Sequence, residues 1–260
     1  MKVAIIGQGA IGQFVRSQLA THGIVEIARI VRAGKEVDGD ADNPPSISDL
    51  HDLPQTPDLI VDCGGHAALA AHGPAALGMG IDVLTVSLGA LADKSLEQTL
   101  HDAAESGDAR LHLTSGAIGG LDALRGARAG EITKVTYTGR KPPKGWAGSP
   151  AEDVLDLVAL TEPATHFQGS AREAALAYPK NANVAAAVAL AGIGLDATEV
   201  ALIADPSATA NIHEVQAEGA FGSFHFTISG NGLPDNPRSS ALAAMSVVSE
   251  MVERKKRIGF

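Results

Sequence analysis

Lys2-Val3-Ala4-Ile5-Ile6-Gly7-Gln8-Gly9-Ala10-Ile11-Gly12 opens the chain, and its reading decides the fold. A short, mostly apolar run leads straight into a G-x-G-x-x-G, and the amphipathic stretch Ile11–His22 follows. That order marks a strand–turn–helix that cradles a dinucleotide pyrophosphate. Gly7 permits the tight turn, Gly9 lets the backbone approach the phosphates, and Gly12 lets helix and strand pack closely. Ala10 and Ile11 stand at the helix N-terminus, where free N–H groups and a partial positive charge meet the phosphates. The expected cofactor is NAD or NADP, held by Gly7, Gly9, Ala10, Ile11 and Gly12.

Outward from this motif, apolar runs alternate with amphipathic ones, as in a parallel sheet with helical crossovers. Lys2–Ile6, Val25–Val31, Leu59–Asp62, Asp82–Val86 and Arg110–Leu113 read as strands. Ile11–His22, Ala67–Met79 and Ala92–Ser106 read as helices, and Gly34–Pro57 as a loop with one short helix. Beyond residue 114 the rhythm changes. Helical patterns are expected at Ile118–Ala129, Glu152–Leu160 and Asn181–Ala191, with a loop at Arg140–Ser149. Strands are expected at Ile132–Thr138, His166–Ser170, Glu199–Ala204, Asn211–Ala217 and Ser223–Ser229, grouped as in an antiparallel sheet. Asn236-Pro237 is expected to open one long helix, Arg238–Arg257. The fold class is therefore α/β. An N-terminal Rossmann doubly wound parallel sheet occupies 1–114, a second α+β domain 115–235, and a C-terminal helical segment 236–260.

Bulk properties exclude several function classes. With 260 residues, 45% of them apolar, the chain can bury a substantial core. A net charge of −10 and only 3% aromatics leave neither a basic surface nor a stacking platform for nucleic acid. The single cysteine, Cys63, has no internal disulfide partner, which fits a reducing cytoplasm. The apolar run after Met1 and Lys2 breaks at Gly7 with no cleavage pattern, so no export is expected. Val184–Leu195 is shorter than a membrane span and reads as a buried helix. No His, Cys, Asp and Glu cluster has metal-ligand spacing, so no metal is expected.

NAD sites usually carry an acid at the end of the second strand to bind the ribose 2′-hydroxyl. Arg32 stands there instead. A guanidinium suits a 2′-phosphate, and an ordinary solvated strand-end arginine also satisfies the pattern.

Hydride transfer asks the protein for positioning and for a group that manages protons. Histidine is the natural candidate, and there are nine. His66 follows Cys63-Gly64-Gly65 at a strand end, while His213 and His225 lie inside strand patterns; spacing alone does not choose among them. Arg140, Lys141, Lys144, Arg172, Lys180 and Arg238 are candidates to hold a substrate carboxylate, or are simply solvated. Pro179–Asn183 and Ser115–Gly120 each suit a ligand, or a helix cap and an interdomain turn respectively.

Several blocks together resemble the L-aspartate dehydrogenase family. They are Gly7–Gly12, Ser87–Asp93, Ser115–Leu124, Arg140-Lys141-Pro142-Pro143, Gly169–Ala174, Pro179–Val184 and Asn211-Ile212-His213-Glu214, in family order and nearly end to end. The resemblance implies NAD(P)-dependent oxidative deamination of L-aspartate to iminoaspartate, then oxaloacetate and ammonia, with iminoaspartate able to feed NAD biosynthesis. It places the family's active-site histidine on His213 and its second-domain cofactor contacts on Ala117 and Asn183. It also implies a cytoplasmic homodimer whose last helix returns to the Rossmann domain. Cys63–His66 departs from the family pattern, and no role is carried onto Cys63. Two rival reductases lack their marks here. There is no His-His pair, as the dihydrodipicolinate reductase type requires, and no Glu-Lys-Pro after the fourth or fifth strand, as in two-domain sugar dehydrogenases. Another NAD(P)-dependent imine or amino-acid oxidoreductase, and a nucleotide sensor without turnover, are the remaining rivals.

Overall fold

A computed structural model describes residues 1–40, 43–234 and 236–259. Its N-terminal sheet is built from β1 (Lys2–Ile6), β2 (Val25–Ile30), β3 (Ser46–Ile47), β4 (Leu59–Asp62), β5 (Val83–Thr85) and β6 (Leu111–Leu113). The order is β3-β2-β1-β4-β5-β6, with every ladder parallel. This is the doubly wound arrangement that the opening motif predicts. Three helices make the crossovers: α1 (Ala10–Leu19), α2 (His66–Gly78) and α3 (Lys94–Gly107). Helices on both faces explain why β4 is buried at all four positions and reads as a continuous apolar run ending in Asp62. Within Gly34–Pro57, residues 41 and 42 lie outside the described residues. The rest holds β3 and a 3₁₀ turn at Leu50–Asp52, capped by Asp49.

The second sheet contains β7 (Ile132–Lys141), β8 (Ala164–Ser170), β9 (Glu199–Ala204), β10 (Asn211–Gly219) and β11 (Gly222–Gly230), ordered β11-β10-β7-β9-β8. It is mixed rather than antiparallel, because β7 and β9 run parallel. Between them the chain passes through β8, α5 (Ala171–Ala177) and α6 (Asn183–Ala191), the long crossover that a parallel pair requires. α6 packs on β7, α5 and α4 (Leu121–Ala127). Seven of its nine residues are buried, so the Ala-rich stretch is a core helix. No helix among the described residues is long and apolar enough to cross a membrane.

Several sequence expectations need correction. β7 extends to Lys141, so Arg140 and Lys141 are sheet residues and not loop. The helix expected at Glu152–Leu160 is absent. A 3₁₀ turn spans Pro150–Asp153, and the Asp156 carboxylate then accepts the Val158 and Ala159 N–H groups, a local bond that competes with helix. α5 was missed, although Ser170 and Glu173 close a capping box at its start. The C-terminal helix, α7, runs only from Ala241 to Glu253. The preceding residues form β13 (Asn236–Ser240), which pairs with β12 (Gly232–Leu233), and the chain beyond Glu253 turns away. The Arg238 side chain lies outside the described residues.

Two compact units result: Met1–Thr114 with Ala243–Phe260, and Ser115–Leu242. Val247, Val248 and Met251 of α7 join Val3, Ile5, Val15, Leu59 and Val61 in the first unit's core. Lys255 donates to the carbonyls of His22 and Gly23, tying the segment after α7 to the turn after α1. Met251 is fully buried, so Met251→Ala is expected to cost about 2–5 kcal/mol. Urea unfolding checks this, and a loss below ~1 kcal/mol would mean that α7 is not part of that core.

Candidate active site

At the nucleotide motif, Gly7 has φ +96°, and a Cβ there would lie 2.6 Å from Gly64 Cα. Side chains are therefore excluded on both counts. A Cβ on Gly12 would meet Gly7 O at 2.9 Å, the close helix–strand packing that the motif demands. Gly9 faces open space and caps α1 without any side-chain hydrogen bond, so the first-turn N–H groups are free for phosphate oxygens. Arg16 braces the turn, donating to Gly7 O at 3.0 Å while pairing with Glu26 at 2.7 Å.

Gly64 is positioned in turn by Asp62. That carboxylate is fully buried and accepts from Gly64 N at 2.8 Å and from the Thr85 and Ser87 hydroxyls, each at 2.6 Å. Burial raises its pKa against the lowering effect of those bonds. Burial also drives the Cys63 thiol well above its ordinary value, which removes it as a nucleophile. Arg32 is exposed and borders a hollow of about 500 Å³ with Ser48, His51, His72 and Met79. Ala117 is buried in the segment before α4, and Asn183 is the first residue of α6.

The second unit gathers its polar groups on the covered face of the sheet. Val135, Tyr137, Gly139 and Lys141 alternate onto this face of β7. His213 of β10 has Gly139 as its ladder partner and is only 4% exposed. Tyr137 Oη and His213 Nδ1 are 2.7 Å apart. Gly139 makes room for that bond, since a Cβ there would lie 2.8 Å from Tyr137 Oη. Burial, seconded by the Lys141 ammonium, lowers the His213 pKa to about 4, and burial holds the Tyr137 phenol protonated. The imidazole is thus neutral at pH 7 and can accept a proton.

The other predicted cations have different surroundings. Arg140 pairs with Asp205 at 2.9 Å, and Arg172 grips Asp196 through two nitrogens, at 2.6 and 3.1 Å. Lys180 is exposed. Residue types alone did not reveal Tyr137, Gly139 or His166. The signal available was the alternation along β7, which puts positions 137, 139 and 141 on one face.

Residues 122–254 match the C-terminal domain family of aspartate dehydrogenase, and residues 7–114 match the NAD-binding domain family of homoserine dehydrogenase. The L-aspartate dehydrogenase of Ruegeria pomeroyi is 57% identical over 98% of this chain and 92% of its own length. That of Pseudomonas aeruginosa is 45% identical over 95% of each. This chain belongs to the aspartate dehydrogenase family. The crystal structure of aspartate dehydrogenase from Thermotoga maritima is similar with a TM-score of 0.79 and 26% identity, covering 100% of this chain and 99% of that one. A dihydrodipicolinate reductase from Paenisporosarcina, at TM-score 0.53 and 14% identity over 98% of this chain and 94% of that one, shares the fold alone. The family membership and the motif geometry make the chain an NAD(P)-dependent dehydrogenase.

Both His213 and His166 titrate below their ordinary value, each at about 4. The unfolded chain therefore binds more protons between pH ~6.5 and ~4, and stability falls as pH drops through that window. Each buried ring is expected to contribute up to roughly 3 kcal/mol of that loss. Urea midpoints at pH 7 and 4.5 check it, and His213→Asn should flatten part of the slope.

Proposed function

We propose that the chain catalyses oxidation of L-aspartate by NAD or NADP to iminoaspartate, which water converts to oxaloacetate and ammonia. The observation that carries the chemistry is the neutral, buried His213 held by Tyr137. With Tyr137 Oη accepting from Nδ1–H, Nε2 presents a lone pair. There His213 takes a proton from the substrate ammonium, freeing the amine lone pair to drive the C2 hydride out. Once that proton has passed to solvent, the same nitrogen takes a proton from the water that attacks the imine. The nicotinamide, when bound, accepts the hydride. Gly7, Gly9, Ala10, Ile11 and Gly12 hold the pyrophosphate by backbone approach, and Ala117 and Asn183 add family contacts to the cofactor. Arg32, at the edge of its hollow, is the group suited to a 2′-phosphate, so NADP is accepted beside NAD. The same reading makes the protein a cytoplasmic homodimer whose iminoaspartate can supply pyridine nucleotide synthesis. Light scattering should return twice the chain mass of 26.5 kDa.

Reduction of NAD and NADP, followed with a panel of amino acids, tests the reading; turnover confined to L-aspartate is expected. His213→Ala should lower kcat by about 10²–10⁴-fold with nucleotide affinity intact, and near-normal turnover would remove the assigned role. Tyr137→Phe keeps the ring and loses the bond, for an expected drop of about tenfold. Arg32→Ala should raise KM for NADP about tenfold and leave KM for NAD unchanged.

A further inference from the structure

Lys141 sits on the covered face of β7, two positions beyond Gly139, the ladder partner of His213. Its Nζ donates to Asn181 Oδ1 at 2.9 Å and lies 4.8 Å from the centre of the Trp146 ring. Among the described residues no carboxylate pairs with it. The nearest acid by backbone is Asp205, whose N–H bonds Lys141 O; its carboxylate is taken by Arg140 and by Ser207. The groups around Lys141 are otherwise neutral: the Asn181 amide, the Trp146 indole, and the imidazoles of His166 and His213. An ammonium in such surroundings lacks its anion, and burial lowers its pKa to about 8.

His166 of β8 stands edge-on to the same indole, with ring centres 4.3 Å apart. It is 7% exposed, and its Nδ1 meets Tyr178 Oη at 3.1 Å. Its Nε2 is buried and has no hydrogen-bond partner among the described residues. Burial holds the Tyr178 phenol protonated, so its hydroxyl can donate to Nδ1. Nε2 is unmatched in either tautomer, and the tautomer in which Tyr178 donates puts the hydrogen on it and makes it an unsatisfied donor. Buried donors in folded proteins are almost always matched. An unpaired cation and an unmatched donor on one indole ring have the same missing partner, an anionic oxygen pair.

We propose that Lys141 and His166 form the receptor for a carboxylate of the substrate, Lys141 supplying the charge and His166 Nε2–H a directed hydrogen bond. The inference rests on the aspartate reading above and deepens it. Trp146 and Tyr178 exclude water around the pair, which strengthens the attraction. Lys141 also opposes protonation of His213, so one cation both holds the substrate and keeps the base ready.

Succinate is the probe, a dicarboxylate with no amine to oxidise and no titration above pH 7. It should compete with L-aspartate, and its Ki should rise with pH through about 8 as Lys141 deprotonates. Lys141→Met is expected to raise Ki for succinate and KM for L-aspartate about 30-fold or more, and to abolish that pH dependence. NADPH affinity, read by fluorescence, should not change. Lys141→Arg should recover much of the loss, and His166→Phe should weaken succinate about tenfold. Should Lys141→Met fail to fold, Lys141→Gln and the wild-type pH profile decide. Unchanged succinate inhibition in a folded, active Lys141→Met would overturn the receptor. Wild-type enzyme that oxidises another amino acid and not L-aspartate would sink the aspartate reading instead. In that case succinate binding lost with Lys141 still supports the receptor, and no succinate binding overturns it.

Discussion

Backbone meets backbone where the turn after β1 passes the turn after β4. A side chain at Gly7 would sit 2.6 Å from Gly64 Cα, and one at Gly64 would sit 2.6 Å from the Ala68 side chain. Only a chain bare at both positions can bring the carboxyl ends of the central strands this close and still leave the N-terminus of α1 open. The contact is held from beneath by Asp62, which spends its carboxylate on Gly64, Thr85 and Ser87 rather than on a ligand. A carboxyl group buried so deeply is tolerable only because each oxygen has a hydrogen-bond partner.

The second unit solves a different problem with the same economy of space. It must keep an imidazole uncharged and oriented in a packed sheet. Desolvation supplies the first, and a phenol reaching over a bare strand position supplies the second. A carboxylate partner would have fixed the ring as well, but it would have raised the pKa and favoured the imidazolium. A phenol orients without adding charge. Lys141, on the same face, pushes in the same direction.

Much of this was legible in the residues. The G-x-G-x-x-G after a strand, the continuous apolar run at Leu59–Val61 and the two-residue alternation of the later strands led to the right layers. They did so because burial on one face or two imposes those periods. The misses have local causes. Asp156 captures nearby N–H groups and prevents a helix at Glu152–Leu160. Pairing of Asn236–Ser240 with Gly232–Leu233 delays α7, although Asn-Pro reads as a helix start.

By itself, the sequence determined the nucleotide-binding half and its chemistry, because there the function is carried by backbone. Glycine spacing prescribes a backbone path, and a path is a local property. Residue spacing could not choose His213 among nine histidines, which only the family resemblance singled out, nor could it join Tyr137, Lys141 and His166 into one cluster. Those residues come from strands up to 76 positions apart. What distinguishes them is a buried environment that neutralises one ring, orphans another and strips a lysine of its counter-ion. Desolvation belongs to no residue, and only the tertiary structure, by closing helices over the sheet, decided where it falls.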